Sequence, residues 1–186
     1  MIIFALLILM CTSNAFDYNL GICGSRAFHN TSKINKDDSY IKEFDDMRYH
    51  SLAANFNVVK FYEKIAFLLL CEFGYLFDSV LKLKGKEVKD AGSFFGRISL
   101  NSGYTIFKQN NYKYILFAGL GLDYLIKLKA NEAITSYFSI GGSIIGSRFY
   151  SQLRCSMDLF AQEKKKYNVR YRQIIFEVAC GIRLFK

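Results

Sequence analysis

The segment from Tyr112 to Lys129 constrains the fold most, because its side chains alternate in character with a period of two. One set of positions is apolar throughout: Tyr112, Tyr114, Leu116, Ala118, Leu120, Leu122, Tyr124, Ile126 and Leu128. The other set includes Lys113, Gly119, Gly121, Asp123, Lys127 and Lys129. Neighbouring side chains of a strand point to opposite faces, so the pattern predicts one wholly apolar face and one small, polar or charged face. The length suits a tilted membrane crossing, which takes about 9–11 residues.

Seven further segments alternate in the same way. The predicted strands are Phe16 to Arg26, Tyr49 to Val59, Ile65 to Leu83, Phe94 to Phe107, Tyr112 to Lys129, Thr135 to Ser147, Phe149 to Gln162, and Gln173 to Phe185. Most of the connections between them alternate between long and short, as they do in outer-membrane barrels, which have short periplasmic turns and longer outer loops. The chain has no proline, so nothing in it interrupts a strand ladder.

The chain of 186 residues is predicted to be one domain after a cleaved leader. Ile2 to Met10 is an apolar run of signal-peptide length, and Ser13-Asn14-Ala15 resembles a small-residue cleavage site. We therefore divide the chain into a signal peptide, residues 1–15, and a barrel domain, residues 16–186. Lipidation of Cys11, in place of cleavage after Ala15, stays open.

Two kinds of eight-stranded barrel fit the alternation. In a soluble, lipocalin-like barrel, the apolar faces would line a ligand cavity and the mixed faces would meet water. The mixed faces here are rich in glycine, serine and asparagine and carry few charges, which favours the tight interior of a membrane barrel. We predict an all-β, antiparallel, up-and-down transmembrane barrel of eight strands, with the soluble ligand-binding barrel as an alternative.

Charged residues of both signs fall on the mixed faces. Because buried charges must be paired, they predict an ion-pair network inside the barrel and no wide pore. Its predicted members are Glu72, Arg97, Asp123, Arg154, Asp158, Glu177 and Arg183. Tyrosines near the predicted strand ends are expected to form interfacial girdles. These tyrosines are Tyr18, Tyr49, Tyr62, Tyr104, Tyr112, Tyr114, Tyr124, Tyr150 and Tyr171.

On this pattern and loop order, residues 16–186 resemble the small bacterial outer-membrane proteins of the OmpA, OmpX and OmpW type. The resemblance implies location in the cell outer membrane, insertion by the barrel-assembly machinery, and contact with lipopolysaccharide or another anionic outer-leaflet lipid. It also implies a monomer with a structural, surface-exposed or adhesin-like role, and no enzymatic activity. A host or surface ligand would bind through the outer loops.

An enzymatic alternative comes from a second resemblance. One family of lipid A-modifying outer-membrane acyltransferases has a histidine in the first outer loop and an Asp-Ser pair near the second. His29 and His50 flank the first predicted loop here, and Asp78-Ser79 enters the next outer loop. A base, an acid and a hydroxyl near the outer leaflet could transfer acyl chains.

The net charge of +9 permits anionic partners, although no nucleic-acid-binding module is recognisable. A predicted basic outer loop contains Lys164, Lys165, Lys166, Arg170 and Arg172. It is interpreted either as a solvated loop or as a surface that attracts anionic lipid phosphates. The cysteines lack metal-ligand spacing, so we expect free thiols, no metal and no cofactor.

Overall fold

The computed structural model describes residues 16–34, 40–41, 47–83, 86–90, 92–126, 133–160, 162–164 and 169–185. The predicted signal peptide, residues 1–15, and Cys11 within it lie outside the described residues. Eight long strands are present: β1 (Phe16–Ile34), β3 (Met47–Tyr62), β4 (Ile65–Leu83), β6 (Ser93–Gln109), β7 (Tyr112–Ile126), β8 (Ala133–Ile145), β9 (Phe149–Asp158) and β11 (Val169–Phe185). Three short strands are added at the loops: β2 (Tyr40–Ile41), β5 (Lys86–Asp90) and β10 (Gln162–Lys164).

The eight long strands close into one antiparallel barrel. Each pairs with the next along the chain, and β11 pairs with β1 from Tyr18–Phe185 to Lys33–Val169. Closure leaves no long strand with an unpaired edge, which is the condition for placing a sheet in lipid. The predicted fold class is confirmed. Among the described residues there is no helix long and apolar enough to cross a membrane.

The two faces of the wall are sorted as the alternation predicts. Large apolar side chains are exposed on the exterior all around the barrel: Leu20, Ile22, Leu52, Phe73, Ile98, Leu116, Leu120, Leu122, Ile140, Leu153, Val178 and Ile182. Buried polar and charged side chains face the interior of the same strands: Asn19, Asn55, Asn57, Glu72, Arg97, Asn101, Arg154 and Glu177. The soluble, lipocalin-like alternative requires the reverse arrangement and is therefore wrong.

The strand bounds differ from the predictions mainly at the long-loop end. β4 begins and ends as predicted, but β1 continues from Arg26 to Ile34, and β11 begins at Val169. Residues expected in the first and last loops therefore belong to the wall, which extends the β11–β1–β3 part of the sheet. β9 ends at Asp158, and Gln162 belongs to the separate strand β10.

The opposite end of the barrel has tight turns. Glu63 and Asn110 each have a φ of 52°, the left-handed conformation that reverses a chain between two antiparallel strands. The third turn is closed by a hydrogen bond from the Gly146 amide to the Phe149 carbonyl, and the Arg183 backbone amide of β11 donates to the Arg148 carbonyl in this turn. We call this the tight-turn end and the other the long-loop end.

Aromatic rings pair on the exterior near both ends. At the tight-turn end, Tyr62 and Phe67 have ring centroids 5.9 Å apart. At the long-loop end, the Phe28 and Phe176 centroids are 6.0 Å apart, and those of Phe73 and Phe94 are 6.1 Å apart. These pairs have the placement of the two girdles that flank the apolar band of membrane barrels. Tyr150 is not in a girdle as predicted, because it faces the interior and is buried.

Candidate functional site

The interior of the barrel is crossed by a network of buried ion pairs. Arg97 donates from Nη1 to Glu177 Oε1 at 2.7 Å and from Nε to Asp123 Oδ2 at 3.0 Å. Arg154 donates from Nε to Glu177 Oε2 at 2.6 Å and from Nη2 to Glu72 Oε2 at 2.5 Å. We call these five residues the charge network. Four of their side chains are only 2% exposed, so these charges depend on each other and not on water.

The charge network joins strands on opposite sides of the barrel. In the ring of eight long strands, β4 lies four strands from β9 and β6 lies four strands from β11, in either direction. The bond from Arg154 to Glu72 therefore spans the lumen, and so does the bond from Arg97 to Glu177. Glu177 accepts from both arginines, so the two spans meet at a single carboxylate.

Neutral polar groups extend the network around the wall. Asn55 donates to Glu72 at 2.9 Å and accepts from the Tyr150 hydroxyl at 2.7 Å. Ser139 donates to Asn101, whose amide donates to Ser99. These bonds satisfy buried polar atoms that would otherwise cost free energy, and they fix the orientation of the charged groups.

An apolar layer fills the interior towards the tight-turn end. Its large, nearly inaccessible members are Val59, Leu68, Leu70, Ile115, Phe117, Ile145 and Tyr150. The inner face of β7 was predicted to be small, polar or charged, and at Ile115 and Phe117 that prediction is wrong. The interior is therefore closed by two kinds of packing, one ionic and one apolar.

The structure brings five of the seven predicted lumen residues into the charge network: Glu72, Arg97, Asp123, Arg154 and Glu177. The other two lie apart. Asp158 Oδ2 accepts a hydrogen bond from the backbone N–H of Gln173 at 3.2 Å, and Arg183 is paired with Asp17. Asp17 was not predicted as a lumen residue. Its place on the first strand, which a closed barrel pairs with the last strand, is the sequence feature that indicates a contact with Arg183.

Three inward aromatic rings each pack on a glycine of the neighbouring strand. Phe117 pairs with Gly141, Tyr137 with Gly121, and Tyr150 with Gly181. An added Cβ at Gly121 or Gly181 would lie 2.6 Å from an atom of the facing tyrosine ring or its hydroxyl. The glycines therefore make room for the rings that fill the interior.

Gly21 gives a test of this packing at the closing seam. A Cβ there would lie 2.6 Å from the Tyr150 hydroxyl oxygen and 2.8 Å from the Cys180 carbonyl carbon. We expect Gly21→Val to destabilise the barrel by about 1–3 kcal/mol through overpacking. Urea titration of the heat-modifiable gel band measures this loss. Gly24→Val is the matched control on the same strand, because its Cβ meets nothing within 4 Å. Equal midpoints for the two variants would contradict the steric argument.

The residues of the acyltransferase alternative are on strands and not in loops. His29 lies in β1 opposite Met47, and His50 lies in β3 opposite Arg26 and Phe77. Asp78 and Ser79 lie in β4, where Ser79 pairs with Asp90 of β5. The side chain of His50 is exposed, and the side chains of His29, Asp78 and Ser79 lie outside the described residues. The alternative stays a hypothesis.

The predicted basic loop is partly a strand hairpin. Lys164 pairs with Val169, and Glu163 pairs with Arg170, so β10 and β11 extend the wall here. Arg172 lies in β11 and is exposed. Lys165 and Lys166 lie outside the described residues, as do the side chains of Lys164 and Arg170. The prediction that Arg170 and Arg172 lie in a loop is wrong.

A cluster of three metal-ligating residue types lies within the charge network. Ligand atoms of Cys23, Glu72 and Glu177 are within 4.8 Å of one another. Both carboxylates already accept hydrogen bonds from Arg154, and a cation would have to displace it from them. The cluster therefore suits ion pairing better than metal binding. The four cysteines among the described residues are free.

Comparison with known proteins identifies the architecture. No protein-family model matches the chain, and no curated protein sequence matches it significantly. Among solved structures, the outer membrane protein OprG from Pseudomonas aeruginosa superposes with a TM-score of 0.56 and 10% identity, over 92% of this chain and 96% of OprG. The fold is that of a small eight-stranded outer-membrane barrel.

Two further structures are similar at a lower level. Neisserial surface protein A has 10% identity and a TM-score of 0.46, with 89% of this chain and 97% of that chain covered. The outer membrane enzyme PagL has 12% identity and a TM-score of 0.42, with 83% and 97% covered. Neither decides between an enzymatic and a non-enzymatic role for this barrel.

Proposed function

We propose that this chain is an integral outer-membrane barrel with a closed interior, and that it acts through its wall and its outer surface. In this role it stabilises the membrane or presents a surface to a partner. It works as a monomer and without catalysis. The outer ends of β1 and β11, which pair as far as Lys33 and Val169, provide the candidate surface for a partner.

The observation that carries the proposal is the double closure of the interior. The charge network spans the lumen between opposite strands, and the apolar layer packs below it towards the tight-turn end. An eight-stranded barrel has room for little more than its own inward side chains. A solute would have to displace buried ion pairs, which are costly to break when one partner is removed.

The exterior supports the membrane location. Large apolar side chains cover the wall between the two sets of aromatic pairs, and closure satisfies the backbone of the long strands. Exposed apolar surface on this scale is unusual for a protein surrounded by water and marks contact with lipid. The fold shared with OprG agrees with this assignment.

Conductance measurements test the closed interior. We expect the purified barrel, inserted in planar bilayers, to give no steady open-channel current, because both layers of the interior must rearrange before ions pass. A general porin inserted in the same bilayers is the positive control. Insertion of this barrel is verified separately by its heat-modifiable gel mobility. A stable conducting state of the verified barrel would contradict the proposal.

A further inference from the structure

Arg26 and His50 occupy an unexpected place on the outside of the barrel. They face each other across the β1–β3 pair, and both side chains are exposed on the exterior face. They can carry a positive charge, as can the outward-facing Lys60, which lies against the rings of Phe16 and Tyr62 at the tight-turn end. A charge on the lipid-facing side costs roughly 2–4 kcal/mol at the bilayer midplane but only about 0–1 kcal/mol near its surface. Their depth therefore decides whether they are tolerated.

Their position on the strands places them near the long-loop edge of the apolar band. Arg26 lies eight residues beyond Tyr18, which is near the tight-turn end of β1. With a rise of about 3.3 Å per residue and a strand tilt of about 40°, these eight residues span roughly 20 Å along the barrel axis. The apolar band of such barrels is about 25 Å tall, so Arg26 lies near its far edge. The Arg26 guanidinium also lies 5.1 Å from the ring centroid of Phe28, which pairs with Phe176 at that edge. Both groups therefore reach the level of lipid headgroups.

An outward groove runs from this pair across the neighbouring strands. One row of paired residues is His50, Arg26, Phe176, Cys155 and Ile140, and the next row towards the tight-turn end is Leu52, Gly24, Val178, Leu153 and Gly142. In the second row, Gly24 and Gly142 have no side chains, so they leave depressions between large apolar neighbours. We call this concavity, with Arg26 and His50 at its polar end, the wall groove.

We propose that the wall groove binds a lipid with an anionic phosphomonoester headgroup. The phosphate accepts hydrogen bonds from Arg26 and His50, and an acyl chain lies over Gly24 and along Val178 and Leu153. This inference rests on the proposed outer-membrane location. It assigns a lipid-binding site on the exterior of the wall, separate from the closed interior.

Charge complementarity selects the headgroup. A guanidinium offers a planar set of donors that matches phosphate oxygens, and an imidazole beside it adds a further donor. Within the described part of the chain, no carboxylate pairs with Arg26. The apolar floor of the groove selects a lipid over a free phosphate ion, because its surface is covered only when a chain accompanies the headgroup.

Quenching by brominated lipids tests the site, since the chain has no tryptophan of its own. Leu153→Trp places a reporter in the wall groove, and Leu122→Trp places a matched reporter on β7, away from the groove. Leu153 is 61% exposed and Leu122 is 51% exposed. Both variants are reconstituted in vesicles with brominated phosphatidic acid or brominated phosphatidylcholine, after heat-modifiability shows that they are folded.

We expect brominated phosphatidic acid to be preferred over phosphatidylcholine at Leu153→Trp by about five- to tenfold, as two charge-assisted contacts allow, and not at Leu122→Trp. Adding Arg26→Gln and His50→Gln should remove the preference, whereas adding Arg172→Gln should retain it. Equal preference at both reporters, or preference that survives loss of Arg26 and His50, would overturn the proposed site. If neither reporter is quenched by any brominated lipid, the membrane location itself fails.

Discussion

Replacing Arg154 with alanine is expected to destabilise the barrel more than any other single change considered, by about 3–5 kcal/mol. The guanidinium donates to both Glu72 and Glu177, and all three side chains are 2% exposed. Its removal leaves Glu72 without a cationic partner and Glu177 with Arg97 alone. Urea unfolding of the protein in phospholipid vesicles, followed by far-ultraviolet circular dichroism, measures the difference.

The matched control is Arg148→Ala, which removes the same side chain from the exposed turn between β8 and β9. We expect it to change the free energy of unfolding by less than about 0.5 kcal/mol. The double variant Arg154→Ala, Glu72→Ala should lose less stability than the sum of the two single variants, because each single change leaves a buried partner behind. Strict additivity would show that the contact across the lumen contributes nothing.

Replacing Leu120 with arginine is expected to cost about 2–4 kcal/mol, the penalty for arginine on the lipid-facing side at the bilayer midplane. Leu120 is 58% exposed on β7 and lies about midway between Tyr114 and Tyr124. In a water-soluble barrel the same change would be nearly neutral, since an exposed leucine would become an exposed charge. The midpoint of urea unfolding in vesicles reports the penalty.

Tyr112→Arg is the depth control for this experiment. Tyr112 is 50% exposed on the same strand, beside the tight turn at Asn110. Near the membrane surface we expect a cost of only about 0–1 kcal/mol. Similar penalties at the two positions, or none at Leu120, would show that the exterior of β7 does not face the hydrocarbon core.

Alternation predicted the features that depend on a single strand. It placed one face of β7 outside, and it gave both bounds of β4, where the pattern continues from one end to the other. It failed beyond Arg26 in β1, because the run from His29 to Lys33 is polar throughout and yet pairs with β11. A strand that leaves the membrane no longer needs an apolar face, so the pattern ends before the strand does.

The interior was predictable in composition but not in arrangement. The parity of Glu72, Arg97 and Glu177 put them inside, yet only the closed barrel shows which of them meet across the lumen. Tyr150 belongs to a predicted girdle only because it is a tyrosine near a strand end, whereas its parity with Gln152 and Arg154 places it inside. The space for its ring depends on Gly181 of the neighbouring strand, which the alternation within β9 does not reveal.

Glu177 lies on the last long strand, so the bridge between Arg97 and Arg154 requires the complete set of strands. Arg97 and Arg154 precede it along the chain, so a barrel lacking β11 would hold both arginines without the carboxylate that they share. Asp17 and Arg183 join the first and last strands in the same way. Arrival of the final strand thus supplies the carboxylate that bridges the two arginines and the arginine that pairs with Asp17, so a chain truncated before β11 would lack both contacts.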